Sequence, residues 1–582
     1  MHRALSILKQ FRQQWARDLL LILSCGFVPL MIVMPLLRLL VGALLRVGGV
    51  PLLALSNGLM VLRTKPLVSG ALLLVFCGVA VAACAQLMFL VAAVRTLQTR
   101  PLLMAVRAGW QGAHSLRLSS VPLLTTFSLL LLPLTGLILN GSWVAKFRLP
   151  LFLAWWLSLR PALALSVLVL YLLCYWLGIR WLLALQYMCQ NASTTTALAK
   201  SWRQTRGHFW SHTRTLAVLL AVITACSYGW TALIAGVQSL LDGNPWAFRS
   251  AVVLATILLL GKSLIAAASC ALLLLWLNTP LAKSALVATT RQKQSCWPLL
   301  LLSAVMTVVP LTTALATYQF NPHPLTIAHR GVDGHDGVQN TISALRRTAA
   351  HHPDYVEMDV HETKDKQFVV LHDENLRQLA DVNKTPRQLT LRQLQAVTVR
   401  ENGRRAKLAS FAEYLRTAEC LHQRLIVELK ITRGDSSDVL TRFAERYGQR
   451  LRQRGSKVHS LNDAAMQKIR RLVPGLYTSY VLGGSLMFPN TRLNAYSMGT
   501  PMLDTVFTSQ AHARGQAVWA WTVNDQASMV QMMFAGSDGI VTDRSSTLQA
   551  VMHQQQRRPA YAQWLRLISD SGDDLWLGGL LE

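Results

Sequence analysis

Apolar stretches of about 20 residues, each long enough to cross a bilayer as a helix, recur through the first 320 residues of the chain. Seven are read, at residues 19–40, 67–94, 120–139, 161–187, 216–240, 250–277 and 297–318. The loops between them are basic. Up to Phe320 there are 25 Lys and Arg but only two acids, Asp18 and Asp242; from Asn321 onward 32 basic residues stand against 26 acidic ones. The net charge of +29 therefore divides into +23 and +6, and the break locates a domain boundary. With 52% hydrophobic and 15% charged residues, the chain is too apolar for an ordinary soluble protein. Basic loops beside apolar spans already account for the charge, so nucleic acid is not an expected partner. The expected organisation is a multi-span helical membrane domain over residues 1–320, a second domain over 321–550 and a tail over 551–582.

The first span follows Arg3, Lys9, Arg12 and Arg17. It reads as an anchor rather than a cleaved signal peptide, because its apolar run is long and more spans follow. The apolar piece at 47–62 is interrupted by Gly48, Gly49, Pro51 and Gly58 and reads as re-entrant or interfacial. With seven spans and an inside N-terminus, the inside segments carry 15 basic residues and the outside segments 7. That bias predicts a multi-pass membrane protein with its C-terminal domain outside the cytoplasm; if the piece at 47–62 crosses as well, the count becomes eight and the topology flips. Arg38 and Arg180 lie near enough to span ends to snorkel, whereas Lys262 is mid-span and predicts an interhelical partner. Residues 186–214 predict an amphipathic helix at the membrane surface.

From Pro324 short β-rich runs alternate with helical patterns. Strand-like runs fall at 325–328, 355–360, 368–371, 425–429, 457–461, 476–481, 494–498, 517–522 and 539–541. Helical patterns fall at 342–351, 391–398, 411–419, 437–452, 463–473, 505–514 and 527–535. Such alternation predicts a (β/α)8 TIM barrel, and no Gly-rich dinucleotide fingerprint follows the first strand to favour an open sheet. Cys420 is the single cysteine after Phe320, so this half holds no internal disulfide.

In such a barrel the chemistry sits at the C-terminal ends of strands. The first run ends in Ala328-His329-Arg330-Gly331, the second in Val356-Glu357-Met358-Asp359, the third in Leu371-His372-Asp373 and the fourth in Val427-Glu428-Leu429-Lys430. Glu357 and Asp359 are two apart on a strand and share a face. Two carboxylates on one face repel unless a cation lies between them, and Glu428 can supply a third oxygen. Three carboxylates without Cys point to a hard divalent ion, Ca²⁺ or Mg²⁺. His329 and His372 can flank that ion as an acid/base pair, and Arg330 and Lys430 can hold a phosphate. Singly these residues say little; a lone His is usually structural. Their joint placement at one rim is the specific signal, and it points to phosphodiester cleavage.

These motifs, with Asn340-Thr341, Trp521-Thr522-Val523-Asn524 and Gly536-Ser537-Asp538-Gly539-Ile540-Val541-Thr542-Asp543, resemble the glycerophosphodiester phosphodiesterase family over residues 325–546. The N-terminal half resembles the membrane domain of some bacterial members. The resemblance implies an enzyme with a (β/α)8 barrel that hydrolyses glycerophosphodiesters to glycerol 3-phosphate and an alcohol. It implies Glu357, Asp359 and Glu428 as metal ligands, His329 and His372 as the acid/base pair, Arg330 and Lys430 at phosphate and Trp521 lining the pocket. Rival readings are a lysophospholipase D acting on lysophospholipid in the membrane, a polyglycerophosphate hydrolase, and a degenerate scaffold. The chain departs from the family at Gln339, where Glu is usual, at His361 and Glu362, which read as a solvated strand end, and near Asn462, where the family often has His.

Overall fold

The computed structural model describes residues 2–28, 33–50, 58–117, 120–121, 161–278, 297–432, 434–483, 488–500 and 503–570. The chain divides into two compact units at Leu315 and Ala316, the second running to Leu567.

In the first unit five helices among the described residues are long and apolar enough to cross a membrane: Pro66–Leu97, Pro161–Arg180, Phe209–Leu241, Ala247–Asn278 and Trp297–Ala316. Each coincides with a span expected from the sequence. The segment read at 19–40 falls instead on two helices, His2–Val28 and Met34–Val47, and the segment read at 120–139 lies almost wholly outside the described residues. The two acids of this half are buried and each accepts a hydrogen bond, as a polar group removed from water requires: Gln98 Nε2 donates to Asp18 Oδ1 at 3.2 Å and Gln238 Nε2 to Asp242 Oδ1 at 2.9 Å. Lys262 finds an interhelical partner, its Nζ lying 3.2 Å from Ser227 Oγ. Arg180 does not snorkel. It is buried, lies over the Trp202 ring and donates to the Trp202 carbonyl at 2.7 Å, because the helix Thr194–Thr205 folds back beside it. The surface segment read at 186–214 is broken accordingly: that helix ends before Gly207, whose φ of +77° turns the chain into the helix starting at Phe209.

The second unit is a closed barrel. Its eight parallel strands are β1 (Leu325–Ala328), β2 (Tyr355–Glu362), β6 (Leu425–Leu429), β7 (Lys457–Ser460), β8 (Tyr477–Leu482), β9 (Ala495–Gly499), β10 (Ala517–Trp521) and β11 (Gly539–Thr542). They pair in sequence order around the ring, and β1 closes it by pairing with both β2 and β11. Helices between them start on side-chain caps such as Thr341, Ser410, Asn462, Asp504 and Asp525, each accepting from a first-turn amide.

The run at 368–371 is not a barrel strand. It forms β3 (Phe368–Val370), antiparallel to the end of β2. Residues 363–367 are too short a link for a parallel crossover, which needs a dozen residues or more, so the chain doubles back. A second hairpin, β4 (Thr398–Glu401) with β5 (Arg404–Lys407), turns at Asn402-Gly403. Together they build an insertion with its own core of Val338, Val369, Leu371, Leu376, Leu394 and Val399. The barrel interior is plugged by Ile327, Tyr355, Ile426, Trp519 and Val541, and Lys457 Nζ lies 3.5 Å from the Tyr477 ring centre beneath it. A terminal helix, Tyr561–Asp570, buries Trp564, which meets Tyr318 edge-on at 5.2 Å.

Candidate active site

Strand register assembles the rim. Asp359 on β2, Glu428 on β6 and His459 on β7 are successive partners across three neighbouring strands, so their side chains leave one face at one level. Glu357, two residues before Asp359, lies on the same face one step deeper. Lys430, just past β6, reaches back between two carboxylates, with Nζ 2.9 Å from Asp359 Oδ1 and 2.8 Å from Glu428 Oε1. Asn340 Nδ2 donates to Asp359 Oδ2 at 2.8 Å.

The turn after β1 contributes from the adjacent side. Arg330 has φ +51° and Gly331 φ +67°, which swings the Arg330 amide onto Glu357 Oε2 at 3.0 Å. A Cβ on Gly331 would sit 2.8 Å from the Tyr414 hydroxyl, so space and backbone both require glycine there. The Arg330 side chain approaches Asp359, with Nε 4.0 Å from Oδ2, and donates from Nη1 to Gln339 Oε1 at 2.6 Å. Gln339 in turn donates from Nε2 to Glu401 Oε1 at 2.7 Å, and its amide nitrogen donates to Glu401 Oε2 at 2.8 Å.

The two remaining imidazoles are fixed alike. His329 Nδ1 is 2.8 Å from Asp543 Oδ1, and Asn524 holds the other Asp543 oxygen at 2.6 Å. His372 Nδ1 is 2.8 Å from Asp373 Oδ1. In both rings a carboxylate takes Nδ1–H and leaves Nε2 for other work. His372 is carried by the loop after β3, which the Leu371 amide ties to the Asp359 carbonyl at 3.1 Å. His361, expected at a solvated strand end, is buried under this loop with Nε2 3.2 Å from the His372 carbonyl, and burial pushes its pKa down to about 4. Glu362 is buried too, accepting from the Ser436 amide at 2.8 Å and from Arg442. Trp521 is half-buried at the end of β10, its Nε1 donating to the Ser497 carbonyl at 2.8 Å.

The electrostatics keep the buried carboxylates charged. Burial opposes the charge of Asp359, yet Lys430, His372 and Arg330 around it hold its carboxyl well below the usual range. Burial and the Asp359 charge oppose ionisation of Glu357, but His459 and His329 outweigh them. Burial likewise works against Lys430, and Asp359 and Glu428 more than restore its ammonium. Glu357, Glu428 and His459 bring ligand atoms within 4.8 Å of one another, and buried carboxylates around an imidazole are a donor set that fits a divalent cation.

All eight residues singled out from the sequence thus lie at the C-terminal rim. Glu357, Asp359, Glu428 and Trp521 lie on barrel strands, His329, Arg330 and Lys430 follow directly on strand ends, and His372 comes from the insertion. Sequence reasoning passed over His459, although a His two residues from the end of the fifth run obeys the same strand-end rule. It also passed over Glu401, whose only signal was the Asn402-Gly403 turn beside it.

The chain matches two family profiles: the membrane domain of glycerophosphoryl diester phosphodiesterase over residues 5–309 and the glycerophosphoryl diester phosphodiesterase family over residues 329–547. It is similar to a Bacillus subtilis protein provisionally named a glycerophosphodiester phosphodiesterase, at 28% identity over 37% of this chain and 93% of that protein. A glycerophosphodiester phosphodiesterase of Caldanaerobacter subterraneus is 25% identical over 38% of this chain and 96% of its own length. Among solved structures, an Oleispira antarctica phosphodiesterase in complex with the product sn-glycerol-3-phosphate aligns with 41% of this chain and 99% of its own, at 20% identity and a TM-score of 0.36. A chain that carries both matched regions in this order belongs to the glycerophosphoryl diester phosphodiesterase family, as a membrane-domain member and a phosphoric diester hydrolase.

Proposed function

We propose that the chain hydrolyses glycerophosphodiesters to glycerol 3-phosphate and an alcohol, using His329 and His372 as the acid/base pair beside a divalent cation held by Glu357, Asp359 and Glu428. The observation that carries this reading is the pair of Asp-anchored imidazoles, His329 on Asp543 and His372 on Asp373, around one nest of buried carboxylates. When bound, the cation polarises a phosphate oxygen and offsets charge that develops as the diester is attacked. Arg330 and Lys430 orient the phosphate, and Trp521 lines the pocket. One imidazole takes a proton at Nε2 from the attacking oxygen, either the neighbouring glycerol hydroxyl or water. The other gives a proton from Nε2 to the departing alcohol oxygen as its bond to phosphorus breaks. If the hydroxyl attacks, a cyclic glycerol phosphate forms, and water then opens it with the two roles exchanged.

Lysophospholipid is the second substrate reading. It is supported by the five long apolar helices and by a 57-residue stretch 44% identical to human lysophospholipase D, covering 18% of that protein. A multi-pass site in the bacterial inner membrane, with the barrel on the extracytoplasmic side, completes the proposal.

The test uses purified enzyme with glycerophosphocholine and lysophosphatidylcholine, EDTA treatment and metal add-back. His329→Ala and His372→Ala are each expected to lose roughly 10²–10⁴-fold in turnover with unchanged thermal unfolding. Near-normal turnover by either variant discards the assignment, and the ratio of the two substrates chooses between diester and lysolipid.

A further inference from the structure

His459 is buried on β7 with 3% of its surface exposed; among the described residues its Nδ1 has no hydrogen-bond partner, and its Nε2 makes no close hydrogen bond. A buried imidazole normally satisfies at least one nitrogen, and an orphaned one costs about 1–3 kcal/mol. Its Nε2 points at the carboxylates, 3.5 Å from Glu357 Oε1, too long for a strong hydrogen bond but suited to sharing a third atom. Its register partner Glu428 stands beside it, and the three groups can each offer one atom to a common centre. The structural alternative, a core histidine packed for its ring with a loose contact to Glu357, leaves Nδ1 unexplained; the Trp519 ring centre is 6.4 Å away.

We propose that His459 is a direct ligand of the divalent ion, so that the site is a mixed nitrogen–oxygen centre with Glu357 and Glu428 and prefers a first-row transition ion over Ca²⁺ or Mg²⁺. Ca²⁺ and Mg²⁺ take oxygen donors, whereas neutral imidazole raises affinity for borderline ions along the series from Mn²⁺ through Co²⁺ to Zn²⁺. This deepens the functional reading above and rests on its metal dependence.

The test is made on the full chain in detergent. Calorimetry with Co²⁺ and with Ca²⁺ is expected to show tighter binding of Co²⁺. His459→Gln replaces a nitrogen donor by an oxygen donor of similar reach. Even outer partners of a ligand are worth roughly 10–100-fold in metal affinity, so Co²⁺ affinity is expected to fall at least about tenfold while Ca²⁺ affinity holds or rises. Equal loss of both ions, or loss of neither, overturns the proposal. Spin-echo spectroscopy of Mn²⁺ bound to the wild-type chain needs no variant: nitrogen modulation from a bonded imidazole is expected, and its absence overturns the proposal however the variant folds. If wild-type enzyme binds no divalent ion and turns over in EDTA, the metal-dependent reading falls as well. Wild-type metal dependence with an indifferent His459→Gln removes this inference alone.

Discussion

Arg330 donates its short side-chain hydrogen bond to an amide, while Asp359 lies 4.0 Å away and a second carboxylate stands one residue behind the amide. The order Arg330–Gln339–Glu401 is a relay of two short hydrogen bonds that ends on the β4 strand of the insertion. A hydrogen bond to a charged group contributes about 1.5–3 kcal/mol, so breaking the relay should be felt at the phosphate-orienting arginine. Glu401→Ala is expected to lower kcat/KM about tenfold, chiefly through KM. Gln339→Glu alone should also impair the enzyme, since it sets two carboxylates side by side. The double change Gln339→Glu with Glu401→Gln moves the charge next to Arg330 and should recover most of the loss. Steady-state kinetics of the three variants decide it; a double variant no better than the worse single one refutes the relay.

At the scale of elements, the face of the barrel opposite the rim carries a fastening of its own. His512 ends the helix Thr505–His512 and spans two partners: Nδ1 lies 2.6 Å from Gln319 Oε1 and Nε2 2.8 Å from Asp538 Oδ2. Both partners are acceptors, so the doubly protonated ring satisfies both, and the bond to Asp538 raises its pKa above the usual histidine value. A raised folded pKa stabilises fully below the unfolded value, near 6.5, and the gain disappears as pH climbs through the folded value. The melting-temperature gap between wild type and His512→Gln should therefore be widest below about pH 6.5 and narrow as pH rises above it. Turnover should not change, because Asp538 precedes β11 and lies away from the rim. A gap that widens with pH contradicts this sign. Elements of this kind were legible in outline. All eight barrel strands announce themselves as short β-rich runs, and the capped helices between them follow. The hairpin of β4 and β5 does not, because Thr398–Lys407 is mostly polar and half-exposed, and its pairing is decided by the Asn402-Gly403 turn and the insertion core. The strand-end rule found His329 and Glu428 but ranked His372 with them for a mistaken reason, since β3 is antiparallel and outside the ring. His361 and Arg180 were misjudged because periodicity says which face a side chain takes, and not what folds over it.

For the molecule as a whole, the split of 15 basic residues on one set of loops against 7 on the other is what predicts which side of a membrane each loop takes. Cys420 is exposed on the barrel unit and is the single cysteine after Phe320. In a variant that keeps Cys420 and replaces the other cysteines, a membrane-impermeant maleimide is expected to label intact spheroplasts. Labelling only after lysis would reverse the topology. The aromatic contact between Tyr318 and Trp564 bears on how this unit can be handled. Phe320 stacks on Phe534 at 4.5 Å, and Tyr561 of the terminal helix meets the same ring at 5.7 Å. The incoming and outgoing stretches of chain are thus pegged into one greasy socket. A fragment trimmed to the catalytic motifs and stopped near residue 547 would pull that peg and leave the socket open to water, so the helix Tyr561–Asp570 belongs to the enzyme's minimal body.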